Sequence, residues 1–283
     1  MKCKRLLFDY LPKIILLLLS VCVSLNALGQ KSYETSQIKK LAIKGYNVKL
    51  SPQGDKLLYT NANFKGLRLY DIESQKATVI SDETGAGYNA QITNDLIHFK
   101  PKRTDTFMTV TFDNKTVKSL DANQNKQKQR VTQGATNVLN VSASPAEDLT
   151  SIMVKIGEAE IKPIAPLGQN DYLNVSVSPD GNKLLFRVSG MASYVTTLDG
   201  QILKTFENAE FPLWLNNEEV LYAQIEDDGH NYIASDLFIE ALKSDKKVNL
   251  TANSKVIGLY PSAAAGKIAF NTPSGDIYLI EAQ

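Results

Sequence analysis

Cysteine is nearly absent from this chain. Of its 283 residues only Cys3 and Cys22 are cysteine, and both fall at the extreme front. Histidine is as scarce, with His98 and His230 the full set. Everything after residue 22 therefore lacks a disulfide framework and the thiolate donors of a structural zinc site. A Ser-His-Asp constellation would have two imidazoles to draw on, and no Gly-x-Ser-x-Gly elbow accompanies them. Neither sign of charge predominates, since 31 Lys and Arg face 30 Asp and Glu. Nucleic-acid binders take their affinity from a cationic excess, so that class is set aside. With 43% apolar and 22% charged residues the composition is not skewed as disorder, collagen or coiled coil require.

One apolar run stands out, and it is short. Ile14 to Leu25 spans twelve residues, against roughly 20 needed for a comfortable bilayer crossing. Lys2, Lys4 and Arg5 precede it, and Ala27-Leu28-Gly29 follows with small residues before Gln30. This is the layout of a cleaved secretory signal over residues 1–29. Its removal leaves 254 residues, no cysteine and a net charge shifted from +1 to −2. The expected compartment is the periplasm, reached across the inner membrane. Leu19-Ser20-Val21-Cys22 leaves a lipoprotein anchored through Cys22 as a minor alternative.

The rest repeats. Tyr46-Asn47-Val48-Lys49-Leu50-Ser51-Pro52 shares a pattern with Tyr88–Asn94, Leu139–Pro145 and Leu173–Pro179. Each alternates apolar and polar residues, the period of a strand, and ends at a turn signal. Ser51-Pro52-Gln53-Gly54 and Ser178-Pro179-Asp180-Gly181 are the clearest, with Pro fixing φ and Gly accepting positive φ. A second apolar strand follows each turn, and weaker copies begin near Leu213 and Pro261. Aligned positions 59, 99, 152, 186, 222 and 270 are spaced by 40, 53, 34, 36 and 48 residues. Propeller blades run to about 40–45 residues. The fold class expected is all-β: a six-bladed β-propeller of four-stranded antiparallel blades filling residues 30–283 as one domain. The units lie near 45–82, 86–121, 131–168, 171–207, 210–252 and 255–283. The last lacks a fourth strand, and residues 37–42 at the front are expected to supply it and close the ring.

Val177-Ser178-Pro179-Asp180-Gly181-Asn182-Lys183-Leu184-Leu185-Phe186 resembles the repeat signature of TolB-type β-propellers. Asp236–Glu240 followed by Val248-Asn249-Leu250-Thr251 resembles that family's third strand and exit, as does Gly275–Ile280. The resemblance covers about residues 45–282 and implies architecture. Such repeats serve in binding proteins and in the propeller domains of peptidases. TolB itself carries an α/β domain ahead of its propeller, whereas few mature residues precede the first repeat here, so the expectation is an isolated propeller.

Two sets of residues could carry binding. Asn47, Asn89, Asn140 and Asn174 recur once per inner strand and would ring the axis, as a hydrogen-bonded structural collar or as a ligand site. The loops joining second to third strands must emerge on one face. They hold Asn63, Phe64 and Lys65, then Lys102 and Arg103, Met191, and Asp227, Asp228 and His230. An aromatic, a Met, a cationic edge and an acidic edge together suit a protein or peptide surface. Gly85-Ala86-Gly87-Tyr88-Asn89-Ala90 matches G-x-G-x-x-A but links two units instead of opening a βαβ helix, so it reads as a loop. The leading expectation is a non-catalytic binding or scaffold module acting as a monomer on an envelope protein, peptide or glycan. No cofactor or metal is expected, with calcium at the acidic hairpin left open. The alternative is a propeller-type lyase, lactonase or hydrolase using carboxylates and a cation at the channel mouth, which the paucity of His disfavours.

Overall fold

The computed structural model describes Tyr33 and residues 37–104, 106–121, 140–252 and 254–282. The expected signal segment, residues 1–29 with Cys3 and Cys22, and the Gln/Asn/Lys-rich stretch after Asp121 lie outside the described residues. Strand β1, Ile38–Lys44, comes first. Blade 1 follows with β2 (Tyr46–Leu50), β3 (Lys56–Thr60), β4 (Lys65–Asp71) and β5 (Lys76–Thr84). Blade 2 holds β6 (Gln91–Ile92), β7 (Leu96–Phe99), β8 (Thr106–Thr111) and β9 (Thr116–Asp121). Blade 3 has β10 (Val141–Pro145), β11 (Ile152–Ile156) and β12 (Lys162–Ile164). Blade 4 comprises β13 (Tyr172–Val177), β14 (Lys183–Val188), β15 (Ser193–Thr197) and β16 (Ile202–Phe206). Blade 5 comprises β17 (Glu210–Trp214), β18 (Glu219–Asp227), β19 (Tyr232–Ala241) and β20 (Lys247–Asn249). Blade 6 contributes β21 (Leu259–Ala264), β22 (Lys267–Asn271) and β23 (Asp276–Glu281). Every pairing within a blade is an antiparallel meander, so the chain forms the expected six-bladed propeller.

The ring closes as expected. β1 pairs antiparallel with β23, Ile38 opposite Ile280 and Lys40 opposite Tyr278, and so becomes the outer strand of blade 6. Asp276 ties the closure, accepting Lys40 at 2.9 Å and Lys44 at 3.3 Å. Hydrogen bonding from Lys40 outweighs the modest desolvation, and with Lys44 it holds the Asp276 carboxyl below the usual carboxylate range.

Consecutive apolar residues on the second strands point to opposite faces and fill the two flanking junctions. Leu57 packs with blade 6 and Leu58 with blade 2. Leu184 packs toward blade 3 and Leu185 toward blade 5. Val220 and Leu221, and Ile268 and Ala269, divide in the same way. This is why these strands are continuously apolar instead of alternating. Five junctions carry such a cluster among the described residues, and that between blades 2 and 3 does not.

Blade 3 has three strands among the described residues, where the sequence pattern predicts four. After Ile164 the chain turns instead of pairing. The Tyr172 hydroxyl accepts the Leu167 N–H and donates to the Gly168 carbonyl, each at 2.9 Å, and Asn170 donates to the Leu167 carbonyl.

The Ser-Pro-x-Gly turns behave alike. The Ser178 hydroxyl donates to Asp180 and accepts the Lys183 N–H, and Gly181 sits at φ 77°. The Ser51 hydroxyl does the same for Asp55 and Lys56, with Gly54 at φ 66°. Gly85 and Gly87 belong to the turn between blades 1 and 2. A Cβ on Gly87 would come within 2.4 Å of Thr60 Cβ, so close packing requires glycine there.

Candidate functional site

The inner strands begin at the same end of the ring as the second-to-third-strand loops. Tyr46 pairs with Thr60, Tyr172 with Val188, Glu210 with Ala223 and Leu259 with Asn271, so each first strand starts where the second ends. One face of the ring therefore carries both feature sets that the sequence singles out.

The four asparagines share a backbone role. Asn47, Asn89, Asn140 and Asn174 have φ of 51°, 55°, 50° and 52°. The equivalent positions of blades 5 and 6 are Phe211 and Tyr260, at φ 52° and 51°. All six blades thus open on a left-handed residue, and a bulge follows in blades 1, 4, 5 and 6. Asn is the residue after Gly that tolerates this conformation, which accounts for its recurrence without a ligand. Among the described residues no hydrogen bond joins one of these amides to another. The Asn47 N–H instead donates to Asn271 Oδ1 of blade 6 at 3.0 Å. Phe211 and Tyr260 have rings 4.2 Å apart. Burial, with Tyr232 and Glu210 nearby, pushes the Tyr260 hydroxyl above its ordinary range.

Phe64, Lys65 and Lys102 converge around Thr84. Lys65 pairs with Thr84 across the sheet, and the Lys102 N–H donates to the Thr84 carbonyl at 2.9 Å. Asn63 and Phe64 occupy a left-handed turn at φ 56° and 54°, and the Phe64 carbonyl accepts the Gly85 N–H. Tyr88 stands edge-on to Phe64 at 5.3 Å and is 59% exposed. Lys65, Lys102 and Arg103 are exposed. At the inner edge of this corner the Lys49 ammonium donates to the Ala90 carbonyl at 2.7 Å, and burial lowers its pKa.

Across the ring, Asp227, Asp228 and His230 occupy the tip of the β18–β19 hairpin. β18 continues four residues beyond the Ala223 pairing, from Gln224 to Asp227. At about 3.3 Å per residue the hairpin stands roughly 13 Å above the ring. The Asp227 carboxylate accepts the Gly229 N–H, and that of Asp228 accepts the N–H groups of His230 and Asn231. Those backbone bonds, Asn231 foremost, hold Asp228 below the usual carboxylate range. Tyr232 and Ile233 flank the tip, the latter 58% exposed. Met191 of blade 4 is 49% exposed. The structure thus joins Phe64, Lys65, Lys102 and Arg103 in one corner and sets Asp227, Asp228 and His230 far from it.

His98 faces away from blade 1, its Nδ1 2.9 Å from the Thr109 hydroxyl, and burial lowers its pKa. Among the described residues no three His, Cys, Asp or Glu side chains gather as a metal site, and no helix is long and apolar enough to cross a membrane.

Sequence reasoning missed Tyr88, Ile156, Tyr232, Ile233 and Tyr260 on this face. The signal available was the loss of Asn at the repeat position in blades 5 and 6, where an aromatic replaces it.

The chain is similar in structure to the β-propeller domain of Cps50 (Swd1) from Myceliophteria thermophila. The TM-score is 0.58 at 9% identity, over 88% of this chain and 100% of that one. It is equally similar to YCF48 in its complex with D1 peptide, with TM-score 0.58 and 11% identity over 88% of this chain and 97% of that one. These likenesses define the class, a β-propeller. No protein-family profile matches the chain, and no curated protein matches it in sequence.

Proposed function

We propose that this propeller is a non-catalytic module that binds a protein or peptide through its loop face. The observation that carries the reading is where apolar surface is exposed. Among the described residues, six of the ten exposed large apolar side chains lie on this face: Tyr88, Ile156, Met191, Tyr232, Ile233 and Tyr260. A rigid ring that gathers its unburied apolar groups on one side, among charges of both signs, has the makings of an interface. The YCF48 neighbour was solved with a peptide bound, which accords with this use of the fold. The signal-like segment 1–29 favours the cell envelope as the place of action, and the repeat at 177–186 favours a TolB-like lineage.

Photo-crosslinkers placed at Phe64, Met191 and Asp228, and as controls at Val79 and Ile202 off the face, test the reading in intact cells. The expected result is discrete adducts from the three face positions and none from the controls. Equal labelling at both sets would overturn it.

A further inference from the structure

The loop face is bipolar in a specific way. Blades follow one another round a closed six-membered ring, so blades 2 and 5 stand opposite each other. Blade 2 with the adjoining edge of blade 1 carries Lys65, Lys102 and Arg103, all exposed, with Glu83 the nearby counter-charge. Blade 5 carries exposed Glu226, Asp227 and Asp228 on its projecting hairpin, with His230 beside them. The aromatic groups follow the same division. Phe64 and Tyr88 sit at the junction of blades 1 and 2, whereas Phe211 and Tyr260 sit at that of blades 5 and 6. The remaining apolar groups are Ile156 on blade 3, Met191 on blade 4, and Tyr232 and Ile233 on the blade 5 hairpin.

We infer that the partner of this face is a second copy of the chain, docked face to face about a twofold axis. The axis lies over the junctions between blades 6 and 1 and between blades 3 and 4. That one operation exchanges blade 2 with blade 5, blade 1 with blade 6 and blade 3 with blade 4. It sets the basic corner of each copy against the acidic hairpin of the other, twice. The same rotation brings Phe64 and Tyr88 onto Phe211 and Tyr260, and Met191 onto Ile156. Three independent matches satisfied by one axis are what an isologous interface requires. Turning one copy by three blades would set blade 2 on blade 2 and blade 5 on blade 5, like sign on like, so charge also selects the register. The projecting hairpin of each copy reaches the partner's blade 2. The inference rests on reading this face as a binding surface and replaces the single-copy expectation.

Sedimentation of the purified protein tests it. The native protein at about 100 μM and low salt is expected to run as a dimer, dissociating at about 0.5 M salt as screening shortens the reach of the charges. Lys102→Glu with Arg103→Glu makes both poles negative, and Glu226→Lys with Asp227→Lys makes both positive. Asp228, which accepts two N–H groups of the hairpin tip, is left in place, and Asp227 accepts one, from Gly229. Each double variant alone is expected to be a cooperatively folded monomer, its dissociation constant raised at least tenfold. An equimolar mixture of the two is expected to regain a dimer, because every contact then pairs opposite signs. Misfolding could not produce that rescue. A native protein that stays monomeric, or a mixture that does not associate, overturns the inference. If the crosslinks at Phe64, Met191 and Asp228 persist to another protein in that case, the binding reading stands and only the self-association falls.

Discussion

Phe211 and Tyr260 occupy the same position in successive blades, both left-handed in backbone, and their rings meet at 4.2 Å. The other four blades put asparagine at that position. The six sites share a conformation and differ in side chain, which separates what the fold needs from what the face presents.

The fold's need can be measured at Asn174. Its φ of 52° costs a β-branched residue about 1–2 kcal/mol relative to Asn or Gly. Asn174→Val should lower stability by that amount in denaturant titration, and Asn174→Gly should stay within a few tenths of the parent. Equal losses in both would mean that the amide itself contributes.

Ring closure should respond to acid in a defined direction. The folded pKa of Asp276 lies below its unfolded value because Lys40 and Lys44 pair with it. Its contribution is present above about pH 4 and is lost as pH falls through the folded pKa. Asp276→Asn should therefore melt lower than the parent at pH 7, and the gap should narrow below about pH 4. Deleting residues 31–43 removes all of β1 except Lys44 and should lower the melting temperature markedly at any pH.

His98 should give a second, separate dependence. Burial lowers its folded pKa, so its neutral form is favoured and its stabilisation is present above about pH 6.5. It declines as pH falls through the folded pKa, because the unfolded chain binds the proton first. His98→Gln should flatten the stability profile as pH falls below about 6.5. An unchanged slope would assign the dependence elsewhere.

Two packing variants report on the junctions. Leu184 is fully buried, and Leu184→Ala should cost about 2–5 kcal/mol. Gly87 is close enough to Thr60 that Gly87→Ala should cost about 1–3 kcal/mol through overpacking, although its φ is ordinary for any residue. Urea midpoints at constant slope check both.

The ring was legible because its punctuation is local. Ser-Pro-x-Gly turns and paired apolar residues on the second strands need only their neighbours to act, and the missing outer strand of blade 6 could be matched to residues 37–42 by elimination. The backbone sign at Asn47, Asn89, Asn140 and Asn174 was not legible, since an alternating pattern looks the same with or without a bulge. Phe211 and Tyr260 hid in the same way, because an aromatic at a left-handed site breaks the residue pattern while keeping the conformation. Tyr232 and Ile233 read as ordinary strand residues. Their exposure depends on β18 and β19 outrunning the rest of blade 5, and that is a matter of relative length. Blade 3 misled the count because the Tyr172 hydroxyl bonds, seven residues on from Ala165, decide that the chain turns.

Ile38 and Ile280 face each other across β1 and β23, so the two ends of the described chain share one blade. The blades are numbered only because translation has to start somewhere; the circle they form has no first member. Splicing the ends together and cutting at the exposed Gly168 turn would keep every strand with its present neighbours. A permutant that melts cooperatively close to the parent would show that genetic order and architectural order are independent in this molecule.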